Sequence, residues 1–217
     1  MALTLYYHPL SSYCWKALIA LYEADIAFTP KVVDLGDPDS RGAFQAVWPL
    51  AKFPVLRDEG RGQTVPESTI VIEYLAQTYP AAAGLIPPDP ELAWQTRLRD
   101  RLYDNYIHNP LQQVVADRLR PRDQRDPLGV ENARNLIRQG YGVAAAPMAA
   151  GGWAMGERFT LADCAALPAL FYANYAEPLA GWPDLAAYLE RLKARPSIAR
   201  VLREAEPFLR YFPLKDG

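Results

Sequence analysis

The stretch AAAGLIPPDPEL, residues 81–92, divides this chain into two parts of different pattern, and any fold open to it must respect that division. Upstream, short strand-like runs alternate with helical ones; downstream, every apolar run has helical spacing. The Ala, Gly and Pro content of the stretch marks a linker. Asp89, Pro90 and Glu91 then supply a cap, a first-turn proline and a first-turn acid for the helix that follows.

In the upstream part, LTLYY (residues 3–7) reads as a strand and residues 12–23 as a helix with Cys14, Ala17, Leu18, Leu21 and Tyr22 on one face. Residues 27–33 read as a second strand, which Pro30 confines to a sheet edge because it has no N–H to donate. Residues 37–47 suggest a short helix. PVLRD and QTV follow as two short strands around a Gly-rich turn, and Ser68 begins a helix with Ile70, Val71, Tyr74, Leu75 and Tyr79 on its apolar side. The order is βαβ followed by ββα. The expected division is residues 1–80, a linker at 81–89 and an all-helical domain at 90–217. Its helices are expected over 90–119, 128–146, 161–175, 183–194 and 196–206, punctuated by Pro121, Pro147, Pro178 and Pro196.

A chain of 217 residues, 50% apolar, can bury one large core or two smaller ones. Its formal charge of −2 gives no support to nucleic-acid or anionic-membrane binding as a main role. No apolar run approaches the roughly 20 residues that span a bilayer. MALTLYYHPL lacks the charged and apolar regions of a secretion signal, so a cytoplasmic protein is expected. The only cysteines, Cys14 and Cys164, exclude a disulfide scaffold or a cysteine zinc cluster. With His8 and His108 as the only histidines, a histidine-rich metal site or a Ser-His-Asp triad has little to draw on, and no metal is expected.

Three short motifs carry chemistry. In HPLSSYCWKALIAL, residues 8–21, two hydroxyls, a phenol and a thiol stand where a strand gives way to a helix, which is a place for an anion. Ser11 or Ser12 there can cap the helix or donate to a thiolate held at its N-terminus, where a thiol pKa of about 8.5 can fall into the range ~3.5–7.5. In VPES, Ser68 can cap, or it can join the first-turn N–H groups in holding a ligand carboxylate while Glu67 accepts an ammonium. In KFPV, a cis bond at Pro54 would expose the Phe53 main chain to pair with an extended peptide, and Lys52 would offer a cation. Together the motifs ask for a short extended peptide with an amino-acid head, a backbone middle and a central thiol, and glutathione fits.

On SSYCWKALIAL, FQAVWPLAKFPVL, VPESTIVIEYL and RFTLADCAALPAL the chain resembles the cytosolic glutathione transferases. The likeness is to the serine-type motif of the zeta class, with further likeness to phi and theta members, in a bacterial-looking chain of no assigned class. The resemblance implies an α/β thioredoxin-like N-terminal domain with a mixed four-stranded sheet of order 2-1-3-4, an all-α C-terminal domain, and a homodimer. It implies that Ser11 assists the glutathione thiolate, with Ser12 beside it able to take the role. Phe53 and a cis Pro54 match the clamp on the cysteinyl residue, Lys52 the contact preceding it, and Glu67 with Ser68 the pair holding the γ-glutamyl end. Asp100 or Asp104 would reach the γ-glutamyl ammonium of a neighbouring subunit. Thr160 and Asp163 match a structural capping box, with Phe159 stapled onto Cys164.

The expected activity is transfer of glutathione to a small hydrophobic electrophile. Tyr103, Tyr106 and Phe171 would wall the acceptor site and Leu10 would face them, although core packing explains those aromatics equally well. Alternatives are a glutathione-dependent isomerase, dehalogenase or peroxidase, or a transferase-shaped binding protein without turnover. Zeta enzymes usually show SSCS with an arginine shortly after, whereas this chain has SSYC followed by Trp15 and Lys16, which speaks against maleylacetoacetate isomerisation. SSYC also resembles a CxxC motif whose first cysteine has become Ser11, so no intramolecular dithiol cycle is available and Cys14 reads as a packed thiol.

Overall fold

The computed structural model describes residues 3–214; residues 1, 2 and 215–217, the outermost positions of the two expected domains, lie outside the described residues. Strands β1 (Leu3–Tyr7), β2 (Thr29–Val32), β3 (Val55–Asp58) and β4 (Gln63–Pro66) form one sheet of order β2-β1-β3-β4. β1 runs parallel to β2, with Leu5 opposite Pro30, and antiparallel to β3, with Leu5 opposite Leu56. β3 pairs antiparallel with β4, setting Leu56 opposite Val65. Pro30 therefore lies on an edge strand, where its missing donor is harmless. Leu5, Leu56 and Val65 form a buried row across one face, and Val33, Phe44 and Val55 a smaller cluster on the other.

Helices α1 (Ser12–Glu23) and α3 (Ser68–Thr78) contribute to the larger cluster, while α2 (Pro38–Val47) supplies Phe44 to the smaller. This is the thioredoxin-like arrangement expected. α1 departs from its one-faced reading, because every residue from Cys14 to Leu21 is buried. The cause is position: α1 packs against α3 in its own half and against two helices of the helical half, α7 (Leu161–Ala173) and α9 (Pro196–Ala205). The linker stretch is not loose either. It contains a 3-10 turn, Pro80–Leu85, whose Ala82 and Leu85 are buried.

The helical half comprises α4 (Pro90–Leu102), α5 (Asn109–Leu119), α6 (Pro127–Ala145), α7 (Leu161–Ala173), α8 (Pro183–Ala194) and α9 (Pro196–Ala205). The single helix expected over 90–119 is interrupted by a π-helical turn, Tyr103–His108, in which the Asn109 N–H reaches back five residues to the Asp104 carbonyl. Pro110, two residues beyond the turn, has no N–H for the carbonyl of Tyr106, so the regular ladder cannot continue through it. Gly140 of α6 packs onto that carbonyl; a Cβ there would lie 2.7 Å from the oxygen.

α7 is apolar all round and almost wholly buried, as a central helix should be. At its start Asp163 accepts from the Thr160 N–H at 2.8 Å and the Thr160 hydroxyl at 3.2 Å, within the expected capping box. Its other oxygen accepts from the Ala154 N–H at 2.8 Å and the Tyr188 hydroxyl at 2.6 Å. Phe159 lies edge-on to Trp153 at 5.3 Å, beneath the Arg195 guanidinium.

Candidate functional site

The loop from His8 to Ser11 joins β1 to α1, and four hydrogen bonds fix its shape. The Ser11 N–H donates to the His8 carbonyl at 3.0 Å, and the Leu10 N–H to His8 Nδ1 at 3.2 Å. Trp15 Nε1–H donates to the Pro9 carbonyl at 2.7 Å, and the Tyr172 hydroxyl of α7 to the Leu10 carbonyl at 2.9 Å. Trp15 stacks on Tyr172 at 4.7 Å and meets Phe171 edge-on at 5.1 Å. The loop is thus held from both halves of the chain.

Ser11 is the N-cap of α1, and its Oγ accepts from the Cys14 N–H at 3.4 Å. Ser12, the first helical residue, is buried, and its Oγ lies 2.7 Å from His108 Nε2. Tyr13 donates from its hydroxyl to Asn109 Oδ1 at 2.8 Å. Burial pushes the Cys14 thiol up to about 12, so this sulfur is a packed thiol and no thiolate near neutrality.

The Phe53–Pro54 peptide is cis, and the His8 ring stacks on the Phe53 ring at 6.1 Å, setting the Ser11 loop beside this turn. Glu67, the residue before α3, has φ of 69°, a region few residues other than glycine occupy and one that clusters at functional sites. Its side chain does not cap the helix, and Ser68 is the first helical residue instead of the cap considered from sequence. The first internal bond of α3 runs from the Val71 N–H to the Glu67 carbonyl at 2.8 Å, so the N–H groups of Ser68, Thr69 and Ile70 have no helical acceptor.

Lys52, Phe53, Pro54, Glu67 and Ser68 together line a groove of about 1220 Å³, which Tyr13 and Asn109 also line. Ser11 and Ser12 are not among its lining residues. The acceptor-wall residues scatter. Tyr103 is 2% exposed and belongs to the helical core, where burial pushes its phenol well up, so it walls no ligand site. Tyr106 is 51% exposed on the outside of the π-helical turn and does not line the groove. Phe171 and Leu10 are half-buried at the base of the loop, against Trp15 and Tyr172 respectively.

Asp100 and Asp104 hold a buried cation of their own chain. The Lys16 ammonium, 1% exposed, lies 2.7 Å from a carboxylate oxygen of each and 3.0 Å from the Thr69 hydroxyl. Arg101 pairs with both carboxylates at 2.6 Å. Burial pushes the Asp104 carboxyl up, and Lys16 opposes that push. The two acids are engaged within their own chain, and both also line the groove.

Sequence reasoning missed Tyr13 and His108. Burial holds His108 neutral, with its pKa pushed down to about 3 and the Lys16 charge adding to the effect. The one sequence signal for it was Pro110, which flags a distorted turn just where His108 leaves the helix.

Two family models match the chain: "Glutathione S-transferase, N-terminal domain" over residues 5–83 and "Glutathione S-transferase, C-terminal domain" over residues 118–191. Maleylacetoacetate isomerase of Pseudomonas aeruginosa is 29% identical over 213 residues, spanning 95% of this chain and 96% of its own. Among solved structures, a glutathione S-transferase of Methylobacterium radiotolerans in complex with glutathione sulfonate superposes with a TM-score of 0.82 at 29% identity, over 93% of this chain and 94% of that one. One from Methylobacillus flagellatus with glutathione bound superposes with a TM-score of 0.83 at 26% identity, over 92% and 98%.

Proposed function

This chain belongs to the cytosolic glutathione transferase superfamily, and from that premise we propose that it is an enzyme that binds glutathione in the groove over α3 and activates its thiol for attack on an electrophile. The observation that carries the reading is that the Phe53 turn and the first residues of α3, whose N–H groups have no helical acceptor, line the same groove, as one extended peptide would require. The γ-glutamyl carboxylate accepts from the Ser68 N–H and hydroxyl, and Glu67 receives the ammonium. The Phe53 main chain pairs with the cysteinyl residue, and Lys52 meets the glycyl carboxylate. The sulfur then lies toward the start of α1, where the helix dipole and a serine hydroxyl favour the thiolate and the proton leaves to water. The thiolate forms a C–S bond at an electrophilic carbon, and the bond to the leaving group breaks with its electron pair. A homodimer goes with this reading, supported by the exposed apolar Ile70, Trp94 and Leu98 on α3 and α4.

A second reading, isomerisation, draws its support from the full-length likeness to the Pseudomonas aeruginosa isomerase. There the thiolate adds to a conjugated double bond, the bond rotates, and elimination returns the glutathione. The local departures at Tyr13, Cys14 and Lys16 weigh against it, since the Lys16 ammonium is already held by Asp100 and Asp104.

Glutathione titration of wild type and Glu67→Ala, with a screen of aryl halides, epoxides, peroxides and maleyl compounds, tests both. Binding is expected to weaken about tenfold in Glu67→Ala, the loss of one charge-assisted hydrogen bond. A glutathione adduct of the acceptor marks transfer, glutathione disulfide formed with a peroxide marks reduction instead, and turnover of a maleyl compound without consumption of glutathione marks isomerisation. Wild-type protein that binds no glutathione would sink both.

A further inference from the structure

Ser12 of α1 and His108 of the π-helical turn meet across the boundary between the two halves of the chain. Ser12 Oγ lies 2.7 Å from His108 Nε2, with the residues 7% and 2% exposed. The same nitrogen lies 3.0 Å from the side-chain amide nitrogen of Gln112, one helical turn on. An amide NH₂ group only donates, so with the amide placed this way the lone pair lies on Nε2, shared between Gln112 and the nearer Ser12 hydroxyl, and the imidazole hydrogen lies on Nδ1. Nδ1 is buried and, among the described residues, has no hydrogen-bond partner. A nitrogen in the state assigned to Nε2 accepts from the Ser12 hydroxyl, and a serine hydroxyl has one hydrogen to give.

We propose that His108 takes up the single hydrogen of the Ser12 hydroxyl, which withholds Ser12 from the glutathione sulfur and leaves Ser11 as the hydroxyl that donates to it. For its ligand, though not for its geometry, this rests on the glutathione reading above. Ser11 has the complementary arrangement. Its Oγ accepts from the Cys14 N–H, its own hydrogen has only the weakly accepting Cys14 thiol beside it among the described residues, and it stands at the cap of α1 instead of beneath it.

His108 is a positioning residue here and not a base. Burial keeps it neutral, so it does not collect the proton released by the thiol. Its effect is to pin the first turn of α1 to the helical half.

The hydrogen's location can be read from unmodified protein without any ligand. Long-range ¹H–¹⁵N correlation resolves the tautomer of each imidazole, and with only two histidines in the chain a His8→Gln variant assigns them. The expected spectrum has a neutral His108 with its hydrogen on Nδ1 at about pH 7. A hydrogen on Nε2, or a protonated ring, overturns the proposal.

A second measurement follows the thiolate absorbance of bound glutathione against pH. Ser11→Ala is expected to raise the bound thiol pKa by about one unit or more, the loss of one hydrogen bond to an anion. Ser12→Ala is expected to leave it in place. An equal rise in Ser12→Ala overturns the assignment, as does no rise in Ser11→Ala. Wild-type protein that binds no glutathione overturns the functional reading and the role given to Ser11 with it, while the tautomer still decides the Ser12–His108 half.

Discussion

Folded His108 takes a proton only near pH 3, whereas an ordinary histidine does so near 6.5. Between those values the unfolded chain binds the extra proton, so stability rises with pH through this window and falls as acid is added. Each pH unit below about 6 should remove about 1.4 kcal/mol. His108→Gln keeps an acceptor for Ser12 and has nothing to titrate, so its urea midpoint should fall less than that of wild type between about pH 7 and about pH 5. Equal acid sensitivity in the two proteins would show that His108 is not the group responsible. The legibility of single residues followed sequence distance. Glu67 and Ser68 adjoin each other, so VPES displayed their combined chemistry; Ser12 and His108 are 96 positions apart, and neither carries a local mark of the other. Lys16 was hidden in the same way, because its partners Asp100 and Asp104 lie on another helix.

Helix α7 hangs on the Asp163 carboxylate. Burial pushes that carboxyl up, and its hydrogen bonds from Ala154, Tyr188 and Thr160 oppose the push. Asp163→Ala would strip acceptors from two main-chain N–H groups and the Tyr188 hydroxyl, all buried, at a loss of about 3 kcal/mol or more. Chemical denaturation checks the size of the loss. The bound thiol pKa should not move, because the carboxylate serves the helix start and not the ligand. An Asp163→Ala protein as stable as wild type would contradict this. The box was readable because TLAD is four consecutive residues with a known geometry. The π-helical turn was not, since periodicity over 90–119 continues through it and only Pro110 interrupts. The burial of α1 on all sides was missed for a related reason. A search for one apolar stripe finds Cys14, Ala17, Leu18 and Leu21, and the second stripe matters only once α7 and α9 cover it.

On the scale of the molecule α1 is a wall common to both halves. At its far end Glu23 binds Arg195 and, at 2.7 Å, the Ser197 hydroxyl. Such sharing predicts one cooperative unfolding transition, with tryptophan fluorescence and far-ultraviolet circular dichroism changing together. Two separated transitions would mean that the halves are independent. The strand order came with the family resemblance, and only Pro30 marked an edge in the sequence itself; the seam between the halves left no mark, because seam residues look like any other apolar residues. One bond across that seam, from the Tyr172 hydroxyl to the Leu10 carbonyl, has a historical consequence. On the transfer reading proposed above, a lineage that reshapes α7 to admit a new electrophile would disturb the loop beside the bound sulfur. Trading helical halves between relatives would therefore misalign the reactive sulfur unless Trp15 and Tyr172 descend together, and pocket novelty in this chain should be sought on surfaces that leave their contact untouched.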